Sequence, residues 1–400
     1  RTVRAHDELL TSIKIKKENY EGYGGHYIKY GKRGAMEIAT LGCAVTVKLS
    51  EDKKHIEDLR LGYGVAAPTP IRCRETEQSV IGMETGDAAG EGATSGETVV
   101  WKMATQDTAD SANGLGCEKF AELIAEKTDG RYQIEVHANG TLTTPADSIQ
   151  DIQMGTIELS LVNVSVLTGS VEGLGVFDMP MLIKDNAQAD AVTLDHLDYW
   201  QDMMEKEGGF SCLTIFETGW RTITNNKREI RSAADCEGLR IRVMQNNNYI
   251  DIWQRLGCDP VPMDMAEAFT AMQQGAIDGQ DNPAIFCISN NIPEVNKYFS
   301  PINYIYSCIP VIMNTAAWDS LSSEDQEIFA ECAYEAAVYQ REAARQQEQE
   351  AYAEMEEKGV TITYDVDRES FQRILQPMVE ENYDKYADSI DLINSCAEAA

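Results

Sequence analysis

The sequence predicts an α/β fold for its larger part, and three stretches carry that expectation. Val99–Ala104 alternates as a strand. Asn113–Lys127 then sets Leu115, Phe120, Leu123 and Ile124 at helical spacing, and Arg131–Val136 alternates again. A β-α-β opening builds a parallel sheet with a right-handed crossover. Late in the chain the apolar run Tyr304–Asn314 reads as a fully buried strand. After it, the charged, proline-free segment Gln326–Lys358 reads as a long C-terminal helix, with Phe329, Cys332, Ala333, Ala336 and Ala337 as its early apolar stripe. Ser322 is its expected N-cap, with Asp325 three positions on.

Three regions are expected: a small α+β domain over 1–82, a flexible acidic linker over 83–98 and the α/β body over 99–400. In the first, Met36–Leu41 is a turn or two of helix. Ala44–Leu49 and Ile56–Val65 pair as a hairpin around a charged turn at 50–55. Gly22-Tyr23-Gly24-Gly25 reads as a turn rather than a phosphate loop, because no strand-then-helix context surrounds it. Met83–Thr98 holds small residues, four acids and no base, the composition of a linker. The body continues with a helix over 145–154, a strand over 159–164 and helix over 187–208. Leu213–Glu217 is read as a strand with a loop after it to Asn225, and 360–364 as a short strand before two terminal helices.

Charge is unevenly spread. The full chain carries −32; residues 1–82 hold 14 Lys+Arg and 11 Asp+Glu, a net of +3, which leaves −35 on 83–400. Such an acidic body disfavours nucleic acid and anionic membrane surfaces, and an anionic ligand would need local arginines. The ten cysteines are scattered without a Cys-x-x-Cys pair, and the five histidines do not cluster, so buried free thiols and no metal site are expected. No apolar run reaches the ~18 residues a membrane span needs. The polar opening Arg1-Thr2-Val3-Arg4 is not that of a signal peptide.

The chemistry concentrates between Gly238 and Pro283. A short strand, Leu239–Val243, carries Arg240 and Arg242. A helical segment, a turn at Gly257–Pro260, a helix over 265–274 and a polar turn over 278–283 follow. A guanidinium at a strand end is a fixed fork that fits a carboxylate bidentately. Arg242 is the candidate, since a buried arginine implies a carboxylate partner. Asn282, stiffened by Pro283, could donate its amide to the same anion. Arg221 lies between Trp220 and Thr222 in the expected loop, and Trp220 could stack on it or on a ligand. Asn163 ends a strand. Gln106, Asp107 and Ser111 follow the first strand, where open α/β sheets bind ligands, though they read equally well as turn and N-cap residues. Phe286 and Tyr304 are candidate apolar walls or core.

This stretch, written GLRIRV, LGCDPVPM and DGQDNP, resembles the signature of the DctP-type solute-binding proteins of TRAP transporters, and the resemblance runs from about Val99 to the C-terminus. It implies a two-lobed, periplasmic-binding-protein-like fold that closes by a hinge. It also implies capture of a small organic acid outside the membrane and delivery to TRAP membrane permease subunits. Arg242 would then form the bidentate salt bridge, Arg221 a second charge, Asn282 a hydrogen bond and Asn163 a contact from the other lobe. Asp281 stands where the family usually has Glu, and Asn163 where it often has a carboxylate. The runs YIKYGKRGAMEIATLGCAV and YGVAAPTPIRC resemble the C-terminal domain of the FAD-binding subunit of xanthine dehydrogenases. That family's flavin-binding glycine loops are not among these residues, so no flavin or other cofactor is expected. The alternative is a flavoprotein-subunit fragment of a molybdenum hydroxylase fused to a binding domain. An enzyme on the two-lobed fold would need Asp281 or Glu217 as acid or base.

Overall fold

The computed structural model describes residues 23–30, 41–50, 55–64, 71–72 and 98–399, with the single positions 74, 78 and 81. The chain divides into two units, Arg1–Glu91 and Gly92–Ala400.

The first unit holds a four-stranded antiparallel sheet in the order β1 (Tyr23–Tyr30), β2 (Leu41–Leu49), β3 (Ile56–Gly64), β4 (Ile71–Arg72). The expected hairpin is β2–β3, with Val45 opposite Leu61 and Val47 opposite Leu59. Two expectations change. Tyr23–Gly25 opens a strand rather than a turn, because β1 pairs with β2 from Tyr23 onward. Leu41, expected to end a helix, begins β2. The rest of that helix, the turn residues 51–54 and the acidic stretch up to residue 97 lie outside the described residues.

The second unit is built on one sheet of nine strands in the order β10-β9-β11-β8-β12-β7-β5-β6, with β13 on β12. Its strands are β5 (Val99–Ala104), β6 (Tyr132–His137), β7 (Leu159–Leu161), β8 (Ser211–Asn225), β9 (Arg240–Val243), β10 (Asp259–Pro262), β11 (Gly279–Asn282), β12 (Tyr298–Met313) and β13 (Thr361–Ile362). Strands β5 and β6 pair in parallel around the Ala112–Lys127 helix.

Strands β8 and β12 serve both halves of this sheet. The end of β12 pairs with β7 and the start of β8, at Val311–Met313. The end of β8 pairs with β11 and the start of β12, at Thr222–Asn225. Two antiparallel strands therefore cross between two α/β lobes. The antiparallel register slips three times along them. At one slip Thr218 is the extra residue between Glu217 and Gly219. Gly219 has φ +105°, a left-handed value that glycine adopts without a Cβ penalty. The bulge bends β8 where it passes from one lobe to the other.

Both long strands exceed the sequence reading. The segment 218–225 is not a loop: Ile223 and Thr224 of its β-branched run pair on both sides and Thr222 pairs with β11. The polar residues Gly279–Asn282 likewise form a buried strand, not a turn, held between β9 and β8. Gly279 makes this approach feasible, since a Cβ there would lie 1.9 Å from the Thr224 carbonyl oxygen. Asp259 and Pro260, expected as the end of a turn, open β10, which pairs with β9. The helix expected over 187–208 is interrupted by two wider π-type turns at Ala191–Asp195 and Met204–Gly208.

The helix Ser323–Glu357 is continuous and capped by Ser322, whose side chain accepts from the Asp325 N–H. Its buried Phe329, Cys332, Ala333, Ala336 and Ala337 join the core of the first lobe. Farther along, Ala351 and Met355 join the core of the second. One helix thus spans both lobes. The eight cysteines within residues 98–399 are buried and free. No helix among the described residues is long and apolar enough to cross a membrane.

Candidate functional site

Arg221, Arg242, Asp281 and Asn282 come together because β8, β9 and β11 are neighbours in the second lobe. Arg240 and Arg242 lie two apart on β9 and so share a face, yet their surroundings differ along the strand. Arg240 is half-exposed and grips Asp278, at 2.8 Å from Nη2. Arg242 is 6% exposed. Its Nε donates to the Met263 carbonyl at 2.9 Å, and no carboxylate of the described residues forms an ion pair with it. Burial pushes this guanidinium below its usual range, opposed by Asp281 and aided by the like charge of Arg221.

Arg221 has the opposite environment. It is 4% exposed, and its Nε donates to Asp281 Oδ2 and its Nη2 to the Asp281 carbonyl, both at 2.8 Å. The Tyr304 hydroxyl donates to the same Asp281 oxygen. Tyr249 presents its ring 5.0 Å from the guanidinium carbon. Burial disfavours the Arg221 charge, but the field of Asp281 and the hydrogen bond to it outweigh that and hold it well above its usual range. Asp281 Oδ1 is buried and has no hydrogen-bond partner.

Asp178 is buried a short distance away. Its oxygens accept from Ser165 Oγ at 2.6 Å and Asn246 Nδ2 at 2.9 Å. Burial raises its pKa, while these bonds and, more weakly, Arg221 lower it. Ser165 and the Tyr249 hydroxyl are 3.4 Å apart, which ties this carboxylate to the Arg221 cluster.

The remaining candidates are engaged inside the protein. Asn282 donates its amide to Gln280 Oε1, so it does not share an anion with Arg242 in this structure. Asn163 caps the short helix Val164–Leu167; its Oδ1 accepts from Ser165 N, and its Nδ2 donates to Ser307 Oγ at 3.3 Å. Trp220 does not stack on Arg221. Its indole N–H donates to Asn186 at 2.7 Å and its ring meets Tyr306, its cross-strand partner, edge-on at 5.3 Å. Alternation along β8 separates Trp220 from Arg221, which leaves the stacking role to Tyr249. Tyr304 is buried, with its hydroxyl on Asp281. Ser111 is an N-cap, accepting from Gly114 N at 3.1 Å. Glu217 is buried against Arg345, 2.9 Å away, and the Tyr306 hydroxyl.

Two cavities lie in this unit, the first sharing Ser165 and Asn246 with the surroundings of Asp178. One, of about 650 Å³, is lined by Ser165, Thr168, Gln245, Asn246 and Tyr386 among others. The other, of about 310 Å³, is lined by Gln106, Asp107, Glu217, Thr218 and Phe286 among others. Neither is lined by Arg221 or Arg242. Asp178, Tyr249, Ser165 and Asn246 were not legible as site neighbours from the sequence. Asp178 opens the apolar segment Met179–Leu182, and only its being a carboxylate at that place could have marked it.

Two α/β lobes that share two crossing strands are the architecture of a solute-binding protein. Residues 103–386 match the bacterial extracellular solute-binding protein family 7, DctP, and the chain belongs to this family, whose members bind solutes rather than act as enzymes. It is 30% identical over 68% of its length to the 2,3-diketo-L-gulonate-binding periplasmic protein YiaO of Escherichia coli, covering 83% of that protein. It is similar to a TRAP periplasmic solute-binding protein of Polaromonas bound to D-erythronate, at 29% identity and a TM-score of 0.68, covering 74% of this chain and 98% of that one. A Roseobacter denitrificans counterpart with bound β-D-glucuronate gives 28% identity and a TM-score of 0.68 over 74% and 98% of the two chains. Residues 26–97 match the CO dehydrogenase flavoprotein C-terminal domain, the small-domain likeness read from the YIKYGKRGAMEIATLGCAV run.

Proposed function

We propose that a domain over residues 99–400, joined by the 83–98 linker to a separate small domain over 1–82, captures a small organic acid outside the cytoplasmic membrane and delivers it to TRAP membrane permease subunits. One observation carries the reading: Arg242 is a buried guanidinium with no carboxylate partner, beside an Arg221 that already has one. A buried arginine without an anion is costly, and a ligand carboxylate would satisfy it bidentately. Arg221, its Nε held by Asp281, offers its remaining nitrogen as a second contact. Asn282 reaches the ligand by exchanging its bond to Gln280, and Asn163 approaches from the first lobe. Trp220, pinned by Asn186 and Tyr306, forms a wall behind them. The Thr218 bulge in β8 is the natural hinge. The acids bound by the Polaromonas and Roseobacter relatives support a carboxylate ligand.

The test is a thermal-shift screen of the full chain against organic acids, with Arg242→Ala alongside. A ligand at 100 times its Kd stabilises by about 2.7 kcal/mol. An acid that raises the melting temperature of the wild type and leaves the variant unmoved supports the reading. An equal shift in both would make Arg242 structural.

A further inference from the structure

Two of the buried cysteines meet in the second lobe. The Cys258 thiol donates to the Cys236 carbonyl oxygen at 3.2 Å. The two side chains also hydrogen-bond to each other, which, ahead of burial, pushes the Cys236 thiol well above its usual range. Cys236 ends the short 3-10 turn Ala233–Cys236, and Cys258 comes immediately before β10. The backbone around them is already tied. The Gly238 N–H donates to the Gly257 carbonyl and the Asp259 N–H to the Leu239 carbonyl, both at 2.8 Å. From there β10 runs parallel to β9, with Asp259 opposite Arg240. Main-chain bonds therefore set the two thiols side by side, and a disulfide between them asks for little movement of the backbone.

From this contact we infer that Cys236 and Cys258 form a disulfide when the chain folds outside the cytoplasm, a covalent clasp on the segment that carries Arg242. The inference rests on the proposed location and not on the reading of Arg242 as a ligand contact. Any small apolar side chain would fill the same space; a pair of thiols adds the capacity to bond. The bond forms by exchange with a disulfide oxidant, of the kind that extracytoplasmic compartments supply and the cytosol does not. One cysteine, as thiolate, attacks the oxidant's sulfur–sulfur bond and releases one thiolate. The other attacks the mixed disulfide, closes the Cys236–Cys258 bond and releases the second. The cysteines lose two electrons and two protons, and the oxidant gains them as two thiols. In the folded protein Cys236 is 0% and Cys258 8% exposed, so the exchange belongs to the folding chain and the finished bond is shielded from reductants. The clasped segment holds β9, then Asn246, which bonds Asp178, and Tyr249, whose ring faces Arg221. Joining its ends removes freedom from the unfolded chain and resists local opening of all three.

The experiment unfolds the full chain in urea with reductant and refolds it either in reduced plus oxidised glutathione or with reductant alone. Free thiols are then blocked, and an unreduced tryptic digest is read by mass spectrometry. The expected product joins peptide 232–240 to peptide 256–297, with fragmentation placing the bond at Cys258 rather than at Cys287. The oxidised protein is expected to melt about 5 °C above the same protein kept reduced. Cys258→Ala should lose both the linked peptide and the oxidant-dependent rise. No link between Cys236 and Cys258 in the refolded monomer, or links spread over the cysteines without preference, would overturn the inference and leave two packed free thiols. A link that lowers the melting temperature would overturn it as well, since the bond would not fit the native fold. A rise that persists in Cys258→Ala would assign the stabilisation to another bond, with the same consequence. None of these outcomes alters whether an acid binds at Arg242, which the thermal-shift screen decides separately.

Discussion

Replacing Asp281 with alanine tests the physical core of the site without any ligand. The carboxylate accepts from Arg221 Nε at 2.8 Å and from the Tyr304 hydroxyl. Its loss leaves the 4%-exposed Arg221 charge held only by the residue-281 carbonyl and the Tyr249 ring. Breaking one side of a buried ion pair costs about 3–5 kcal/mol, because the surviving charge stays desolvated. At roughly 2 cal/mol/K per residue, a unit of about 300 residues has an unfolding entropy near 0.6 kcal/mol/K, so a loss of ~4 kcal/mol lowers the melting temperature by about 6 °C. The Asp281→Ala/Arg221→Met double variant removes both charges. It is expected to lose less than the sum of the singles by about 2 kcal/mol or more. Urea unfolding of the four proteins measures the cycle. Singles that add to within about 0.5 kcal/mol would show that the pair is not coupled, and the account of Arg221 as a charge held in place by Asp281 would fail.

Glu348, on the long helix, is pushed up to about 7 by burial and by the neighbouring Glu217, against the Tyr352 hydroxyl bond and Arg345. With its folded value above its unfolded one, its contribution is fully present below the ordinary carboxylate range and is lost as pH rises through about 7. Glu348→Gln should therefore stabilise the protein at pH 8 by on the order of 2 kcal/mol and leave it unchanged near pH 4, read from urea midpoints at both. Gly279→Ala sets a methyl 1.9 Å from the Thr224 carbonyl oxygen; loss of more than about 3 kcal/mol, or failure to fold, is expected, and a variant within 1 kcal/mol of wild type would refute the close packing of β11 on β8. Ser322→Ala removes the cap on the Asp325 N–H and should cost about 1 kcal/mol in the same assay.

The parts of this fold legible in the sequence are those where one local pattern suffices. The β5–helix–β6 opening, the long helix with its Ser322 cap and the β2–β3 hairpin each follow from periodicity and terminal residues. The elements that were not legible depend on partners far away in the chain. Nothing local marks Gly279–Asn282 as a strand, since its polar residues read as a turn. It is extended because β9 and β8 satisfy its backbone from both sides and Gly279 admits Thr224. Likewise 218–225 looks like a loop until β12, about 80 residues later, supplies its hydrogen bonds. The site has the same character. Arg242 and Arg221 stand out as arginines in apolar surroundings, but their difference is not local: Asp281, Tyr304 and Tyr249 gather on Arg221 and none of them bonds Arg242. One arginine is satisfied and the other is not because β11 delivers its carboxylate to β8 rather than to β9, although it lies between the two. A buried cation left without a counter-charge in this way is a cost to the empty protein, and it is the cost that the proposed carboxylate ligand would remove.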